Sequence, residues 1–370
     1  MIGASDLLWG GAVPAFAAAA ALAIVWRLTG KAASAWRTAV VVGYVAGHWG
    51  LDARNVGAIP ALVKSYQPVE ARDWLPLLLL LAIVPDALAC VGKRGPLLGW
   101  LMRVGLCLFL PWRLLNGSAY LPAMTLPAFD FDMPVFETSA WSTSEAVAWI
   151  GGVAAALLLC WQLARVVDQQ RGGVLRSTLA VMVTLGGAIT VALSASLVYG
   201  QLLGVLTATL AGCGLASALF TTGRGPDAAT GPVMIASGSL LVVAHFYAEL
   251  KIYNAGLLLV AMVLAIGWLP LPGRFSPRWQ AVCRSAVCVG VLGIAMTLAG
   301  LDFAATQTQS ENKTKKGRNR MGYDLFSVTN FRSNCDGVES LEERRVSDSA
   351  ARCHVTDSDL SKNLVLPTEL

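Results

Sequence analysis

The chain has 370 residues, of which 55% are hydrophobic and only 14% are charged, and its formal net charge is +5. Soluble domains carry about a quarter charged residues, so this composition excludes the ordinary soluble classes. The positive charge does not indicate nucleic-acid binding, because most Lys and Arg residues lie in short gaps between apolar segments rather than on one solvated face. The first 303 residues hold 18 Lys and Arg with 13 Asp and Glu, whereas the last 67 hold 10 and 10. The chain therefore divides into an apolar body, 1–303, and a polar tail, 304–370.

The apolar body consists of about ten segments long enough to cross a membrane as helices. A bilayer core of about 30 Å requires roughly 20 helical residues. The continuous Leu, Ala, Val and Gly runs lack the alternation of a transmembrane β-strand. We therefore predict an all-α fold, a polytopic transmembrane bundle of nine to ten helices with a mostly disordered C-terminal tail. The predicted helices are about 7–26, 38–51 (or from near residue 32), 74–92, 97–115, 146–164, 177–199, 201–221, 231–250, 254–271 and 286–303.

The orientation follows from the cations in the connections. Twelve of sixteen loop Lys and Arg residues fall in the odd-numbered connections, and none precedes the first apolar run. The positive-inside rule then predicts a protein of the plasma or inner membrane with an external N-terminus. The tail is polar with few aromatic residues, which predicts disorder apart from a short helix near residues 339–345. Its basic start, between Lys313 and Arg320, is not explained by this orientation, which places the tail outside.

Two connections are long enough to form structure, 52–73 and 116–145, and both are predicted to be external. The second contains several prolines and aromatic residues and four acidic residues. Loops of this length are uncommon in compact bundles and are often functional. The alternatives are a lid, a partly re-entrant segment or a plain amphipathic surface loop.

One pair of opposite charges lies inside the apolar segments. Asp86 is in the third segment and Arg103 in the fourth, and each is 8 to 9 residues from the midpoint of the turn between them. In an antiparallel hairpin both side chains lie at the same depth, about 13 Å from the turn. An isolated intramembrane charge is costly, so we predict an intramembrane ion pair between Asp86 and Arg103. Its role is either to lock two helices together or to switch within a proton or ion pathway.

A second polar group is predicted near the external ends of the helices. His48 lies in the second segment, and His245 and Glu249 lie four residues apart in the eighth, on one helical face. Arg113, near the outer end of the fourth segment, completes a candidate external-mouth polar cluster that would attract an anion, unless its side chain only snorkels to the interface. The candidate roles are proton relay, substrate contact or metal binding, against hydrogen bonding between helices and contact with interfacial water.

The sixth and seventh segments are predicted to form a tight hairpin around residues 199–201. They are rich in Gly, Ala and Ser, which favours close helix packing over a pore lined by small residues. A division into two halves of five helices would resemble the inverted repeats of secondary transporters, with Asp86 and Glu249 in corresponding helices, but the sequence shows no clear repeat.

Three functions are compatible with these residues. The preferred one is transport of a small solute or a proton by a permease-like protein embedded in the lipid bilayer. The alternative is a non-catalytic structural or assembly component. The third is an enzyme acting on lipid-linked material at the external face, with His245 or Glu249 as base and loop 116–145 as lid.

No P-loop, nucleophile-elbow or dinucleotide motif is present. We therefore predict no catalytic residue, metal or cofactor, and we lean against an enzyme. A through-going polar crevice would favour transport and a closed bundle the structural role. A lipid-open pocket holding His48, His245 and Glu249 would favour the enzyme.

Overall fold

The computed structural model describes most of the chain. All regular elements in the described residues are helical, and the predicted all-α helical bundle is confirmed. The described residues are 4–57, 61, 68, 70–90, 92–116, 118–122, 140–168, 174–194, 196–220, 229–266 and 276–329. Most of the predicted lid, 116–145, and the predicted short helix near 339–345 lie outside them.

The first helix, α1, begins as Ala4–Leu7, passes through a π-helical turn over Leu8–Ala12 and continues as Val13–Thr29. A 3-10 turn, Ala71–Trp74, precedes α3. The remaining helices are α2 (Ala32–Val56), α3 (Leu75–Leu81), α4 (Val84–Leu88), α5 (Gly95–Leu115), α6 (Thr143–Asp168), α7 (Val174–Leu193), α8 (Leu197–Leu219), α9 (Thr230–Tyr247), α10 (Ile252–Ile266) and α11 (Pro277–Thr329).

Seven helices among the described residues are long and apolar enough to cross a membrane, and they indicate a membrane-embedded protein. They are Leu8–Thr29, Gly95–Leu115, Thr143–Arg165, Leu175–Leu193, Leu197–Leu219, Thr230–Tyr247 and Arg278–Thr308. The other three predicted segments are helical but are not long and apolar enough to count as membrane spans. Helix α2 has 25 residues but is less apolar, because it carries Arg37, Asp52 and Arg54. The apolar part of α10, Ile252–Ala265, is shorter than a span.

The third predicted helix, 74–92, is broken. It consists of α3 and α4 separated at Ala82 and Ile83, where the Ile83 N–H donates to the Leu80 carbonyl in a 3-10 pattern. Pro85 explains the break, because proline has no N–H and its ring clashes with the carbonyl four residues earlier. Hydropathy alone does not reveal this, since residues 75–85 contain no charged side chain to mark the break.

Two other boundaries differ from the prediction. The turn between α7 and α8 lies near residues 194–196, and Tyr199 and Gly200 are inside α8. No charged residue marks this turn, so the apolar pattern was continuous through it. Helix α9 ends at Tyr247, and Glu249 therefore lies in the following turn, with φ +54°, rather than on the helical face of His245. The predicted shared face of His245 and Glu249 was wrong.

The chain divides into two compact units, Met1–Ala305 and Thr306–Leu370. Helix α11 is continuous to Thr329 and covers residues 304–329, where the sequence predicted a disordered tail. Low hydrophobicity argues against burial, but Gln, Glu, Lys and Arg are good helix formers, so the composition does not exclude a solvated helix. The rest of the tail lies outside the described residues.

Close packing in the first unit depends on glycine at helix crossings. A Cβ on Gly43 of α2 would lie 2.7 Å from the Ala18 Cβ of α1, and one on Gly47 would lie 2.5 Å from Val205 of α8. Helix α9 lies in the interior, because 16 of its 18 residues are buried. A helix that is apolar on every side is expected in such a position.

Candidate functional site

One part-buried carboxylate, that of Asp86, joins three helices. Arg103 Nη2 of α5 donates a hydrogen bond to Asp86 Oδ1 at 2.9 Å, and Arg37 Nη2 of α2 lies 3.4 Å from Asp86 Oδ2. The Arg103 side chain is 2% exposed and that of Asp86 is 11% exposed. The structure thus brings together the two residues of the predicted intramembrane pair. We call Arg37, Asp86 and Arg103 the Asp86 end.

The α4–α5 hairpin places Asp86 beside Arg103. Gly92 makes the turn in a left-handed conformation, φ +61°, which glycine adopts without strain. Helix α5 then packs closely on α4, because a Cβ on Gly99 would lie only 2.5 Å from the Pro85 carbonyl oxygen. A side chain at position 99 would therefore push the two helices apart.

A polar crevice of about 830 Å³ opens beside Asp86. Its walls come from the end of α1, the start of α2 and the α3–α4 segment. Charged groups line it together with backbone and small side chains. The lining residues are Trp26, Gly30, Lys31, Ala32, Ala33, Ser34, Arg37, Thr38, Ile83, Asp86, Ala87 and Cys90.

Arg103 lies near other cations as well as near Asp86. It interacts electrostatically with Arg37 and Arg165 and with the Asp86 carboxylate. Its guanidinium carbon also lies 5.8 Å from the Trp161 ring centroid. Arg103 Nε is buried without a hydrogen-bond partner among the described residues. The groups that act on Arg103 thus include one carboxylate and two further arginines.

His48 is buried at 4% exposure, away from the Asp86 end. Its Nδ1 lies 3.4 Å from Asp52 Oδ2, and its Nε2 lies 3.2 Å from the Arg72 carbonyl oxygen. Both partners are acceptors, so both contacts are hydrogen bonds only when the ring carries a proton on each nitrogen. The sequence did not associate Asp52 or Arg72 with His48, although Asp52 is four residues away on the same helix.

Arg113 and Glu249 have other surroundings. The Arg113 guanidinium lies over the Trp74 ring, 4.0 Å from its centroid. Glu249 adopts φ +54° in the turn after α9, a conformation that is uncommon for a residue with a side chain. The four residues of the predicted external-mouth cluster thus contact different partners, and the cavity containing His245 includes none of the other three.

His245 lies in an aromatic cluster formed by Tyr120, Trp141, Trp149, His245 and Phe246, which we call the His245 end. The Trp141 and Trp149 rings are stacked with centroids 5.7 Å apart, and the His245 and Phe246 centroids are 4.6 Å apart. The Tyr120 hydroxyl donates to the Phe246 carbonyl at 3.1 Å. The Tyr120 hydroxyl is therefore satisfied by a backbone carbonyl.

His245 also lines an apolar cavity of about 260 Å³ between α6, α9 and α10. His245 Nδ1 lies 2.6 Å from the Leu250 carbonyl oxygen. Because that oxygen only accepts, Nδ1 carries the proton, and Nε2 of the neutral ring is an acceptor. The lining residues are Trp149, Gly152, Val153, Ala156, Leu157, Gly238, Leu241, Val242, His245, Phe246, Ile252, Ala255, Gly256 and Leu259.

Sequence reasoning missed Arg37 as a partner of Asp86. Arg37 was assigned to a cytoplasmic connection, but α2 begins at Ala32 and carries Arg37 into the bundle. The cavity at His245 also left a signal in the sequence, since the small residues Gly152 and Ala156 lie four residues apart on α6 and Gly256 is a further small residue on α10. Small residues were interpreted as helix-packing positions only in the sixth and seventh predicted segments.

No group of three or more His, Cys, Asp or Glu side chains in the part of the chain that the structure describes is arranged to hold a metal ion. Comparison with protein-family models, curated proteins and solved structures finds no match to this chain.

Proposed function

We propose that the protein is a multi-pass membrane transporter that binds a small anionic solute in the crevice beside Asp86. The observation that carries this proposal is a part-buried carboxylate, shared by Arg37 and Arg103, that lines a polar crevice of about 830 Å³. The orientation inferred from loop cations makes this the cytoplasmic end.

The charges explain why the solute would be an anion. Lys31 and Arg37 line the crevice, Arg103 lies behind Asp86, and Asp86 is the one acid among the described lining residues. Charges interact more strongly in a site with low effective dielectric than in water. Arginine also binds carboxylates and phosphates in a bidentate geometry.

The Asp86 carboxylate competes with the solute for the two arginines. It occupies both arginines when the crevice is empty of solute, so that they are not left buried without a counter-charge. An entering anion replaces Asp86 on Arg37.

The geometry gives less support to the enzyme hypothesis. His245 lines an apolar pocket, but Glu249 and His48 do not. The common pocket of His48, His245 and Glu249 that would have favoured the enzyme is therefore not formed in the described residues. A structural role for the Asp86 end remains the competing outcome of the test below.

The test uses the purified full chain in proteoliposomes on a solid-supported membrane, with concentration jumps of inorganic phosphate, acetate and succinate. We expect a transport current for at least one anion, and its loss in Arg37→Gln. Lys93→Gln is the matched control, because Lys93 is an exposed cation in the adjacent turn outside the crevice lining. Absence of current for every anion with well-folded wild-type protein would contradict the proposal.

A second variant separates transport from a structural role. Asp86→Asn leaves Arg103 without its carboxylate, and an added anion that takes the place of Asp86 should raise its Tm more than it raises the wild-type Tm. If Asp86 only locks the helices together, anions will stabilise the two proteins equally.

A further inference from the structure

We infer that the apolar cavity beside His245 binds the alkyl chain of a membrane lipid that carries a free hydroxyl group, with His245 Nε2 accepting a hydrogen bond from that hydroxyl. This site is separate from the Asp86 crevice and does not depend on the proposed transport.

The cavity is a groove along three helices. On α6 its lining runs from Trp149 to Leu157 at intervals of three and four residues, and α9 and α10 contribute residues at the same spacing. Such spacing marks one face of each helix. Eight residues of helix extend about 12 Å. The groove is therefore elongated parallel to the helix axes, the direction in which lipid chains lie in a bilayer.

Size and lining favour one linear apolar chain. A water-sized group takes about 30 Å³, so the cavity of about 260 Å³ holds roughly eight such groups, comparable to methylenes. Of the 14 lining residues only His245 has an ionisable side chain. A charged or highly polar ligand would lose its hydration there without compensation.

The groove is accessible from the side. Gly152, Ala156 and Gly256 lie at its rim and are exposed. A Cβ on Gly152 or Gly256 would have no neighbour within 4 Å. Because α6 is long and apolar enough to span a membrane, this rim faces hydrocarbon, and a chain can enter laterally.

His245 defines the polar end of the ligand. The Leu250 carbonyl holds Nδ1, and among the described residues Nε2 has no partner. Neutral Nε2 is an acceptor, which selects a donor such as a hydroxyl over an ester or ether oxygen. Trp149 stands beside it, with ring centroids 6.1 Å apart, as expected where a lipid chain meets its head group.

The test uses the full chain in lipid nanodiscs and two photoreactive probes, a diazirine-bearing decanol and the corresponding decane. We expect both to label the peptides that contain residues 149–157 and 252–259. The decanol probe should bind the groove about fivefold more tightly than the decane probe, as expected for one additional hydrogen bond.

Gly256→Leu should lower this labelling at least about tenfold, because the new side chain fills space that the ligand's methylenes would occupy. A Cβ at position 256 has no neighbour within 4 Å. Gly105→Leu is the matched control, since Gly105 is also an exposed helical glycine with open space around it, on α5.

His245→Asn tests the hydroxyl contact. The Asn amide nitrogen is separated from Cα by the same number of bonds as Nδ1, so it can donate to the Leu250 carbonyl while Nε2 is lost. Labelling should persist, but the preference for decanol over decane should disappear. Retention of that preference in His245→Asn would refute the role of Nε2.

Two results would overturn the lipid site itself. Equal labelling of all lipid-facing helices, unaffected by Gly256→Leu, would show ordinary bilayer contact. Absence of labelling in the wild type, together with a change of oligomeric state in Gly256→Leu, would show that a second copy of the chain covers the groove.

Discussion

At the Asp86 end, charged side chains from three helices meet inside the bundle, whereas at the His245 end the side chains are aromatic, and Tyr120 and His245 each bond to a backbone carbonyl. Asp86 is held by Arg37 and Arg103. Tyr120 instead donates to a carbonyl, and the His245 ring bonds to the Leu250 carbonyl. Removing one charge at the Asp86 end leaves its partner unpaired inside the bundle. Removing one polar group at the His245 end loses a single hydrogen bond.

This difference determines how each end could bind a ligand. A charged crevice can exchange an internal carboxylate for an external anion, because both states keep the arginines paired. An apolar groove with one acceptor can only select ligands by shape and one hydrogen bond. The following predictions test the contrast between the two ends.

The largest effect is expected for Asp86→Asn without added anion. Arg103, with its side chain 2% exposed, would be left as an uncompensated buried charge, at a cost of about 3–5 kcal/mol. Equilibrium unfolding in SDS of the purified protein measures this loss. The double variant Asp86→Leu with Arg103→Met should recover most of it, because the charge is then removed as well. Equal instability of the double variant would contradict an ion-pair origin.

A smaller loss is expected for Gly99→Ala. Its Cβ would lie 2.5 Å from the Pro85 carbonyl oxygen, so α4 and α5 must separate at a cost of about 1–3 kcal/mol. Gly105→Ala on the same helix meets no neighbour within 4 Å and should gain up to about 1 kcal/mol. The same unfolding assay compares the pair, and similar stabilities would indicate that the α4–α5 contact does not position Asp86.

Next to the His245 end in sequence, Tyr247→Phe should cost about 1 kcal/mol. The Tyr247 hydroxyl donates to the Leu114 carbonyl at 2.9 Å, and one net hydrogen bond is lost. Tyr199→Phe serves as control, because its hydroxyl has no hydrogen-bond partner among the described residues. The Tm in nanodiscs should fall for Tyr247→Phe only. A drop as large as that of Asp86→Asn would remove the distinction between the two ends.

The smallest effect is expected for Arg113. Its guanidinium lies 4.0 Å from the Trp74 ring centroid, a cation–π contact of about 0.5–1 kcal/mol. Arg113→Gln should lower the Tm slightly, and Arg113→Lys should lower it less because the charge is kept. Indistinguishable Tm values for all three proteins would mean that the contact adds nothing to stability.

Much of the fold could be predicted because burial in hydrocarbon imposes long apolar runs. All ten predicted segments are helical in the described residues. Breaks within an apolar run were not predicted, since the α3–α4 break depends on Pro85 and the α7–α8 turn carries no charge. Hydropathy responds to composition and not to backbone geometry.

The candidate site residues also differ in whether the sequence could place them together. Asp86 and Arg103 could be placed together because a short hairpin links sequence distance to depth through the helical rise. Arg37 could not, because it comes from α2, whose position beside α4 is a tertiary contact. His48 and His245 were grouped only by depth, and equal depth on separate helices does not imply contact.

By itself the sequence determined the all-α class, the apolar helices and one local charge pair, because hydrophobic periodicity and helical rise act along the chain. Only the tertiary structure decided which helices meet, and with them the second arginine on Asp86, the polar crevice and the apolar groove. Those features depend on glycine contacts and helix breaks, where a few ångströms of backbone position determine whether two side chains share a cavity.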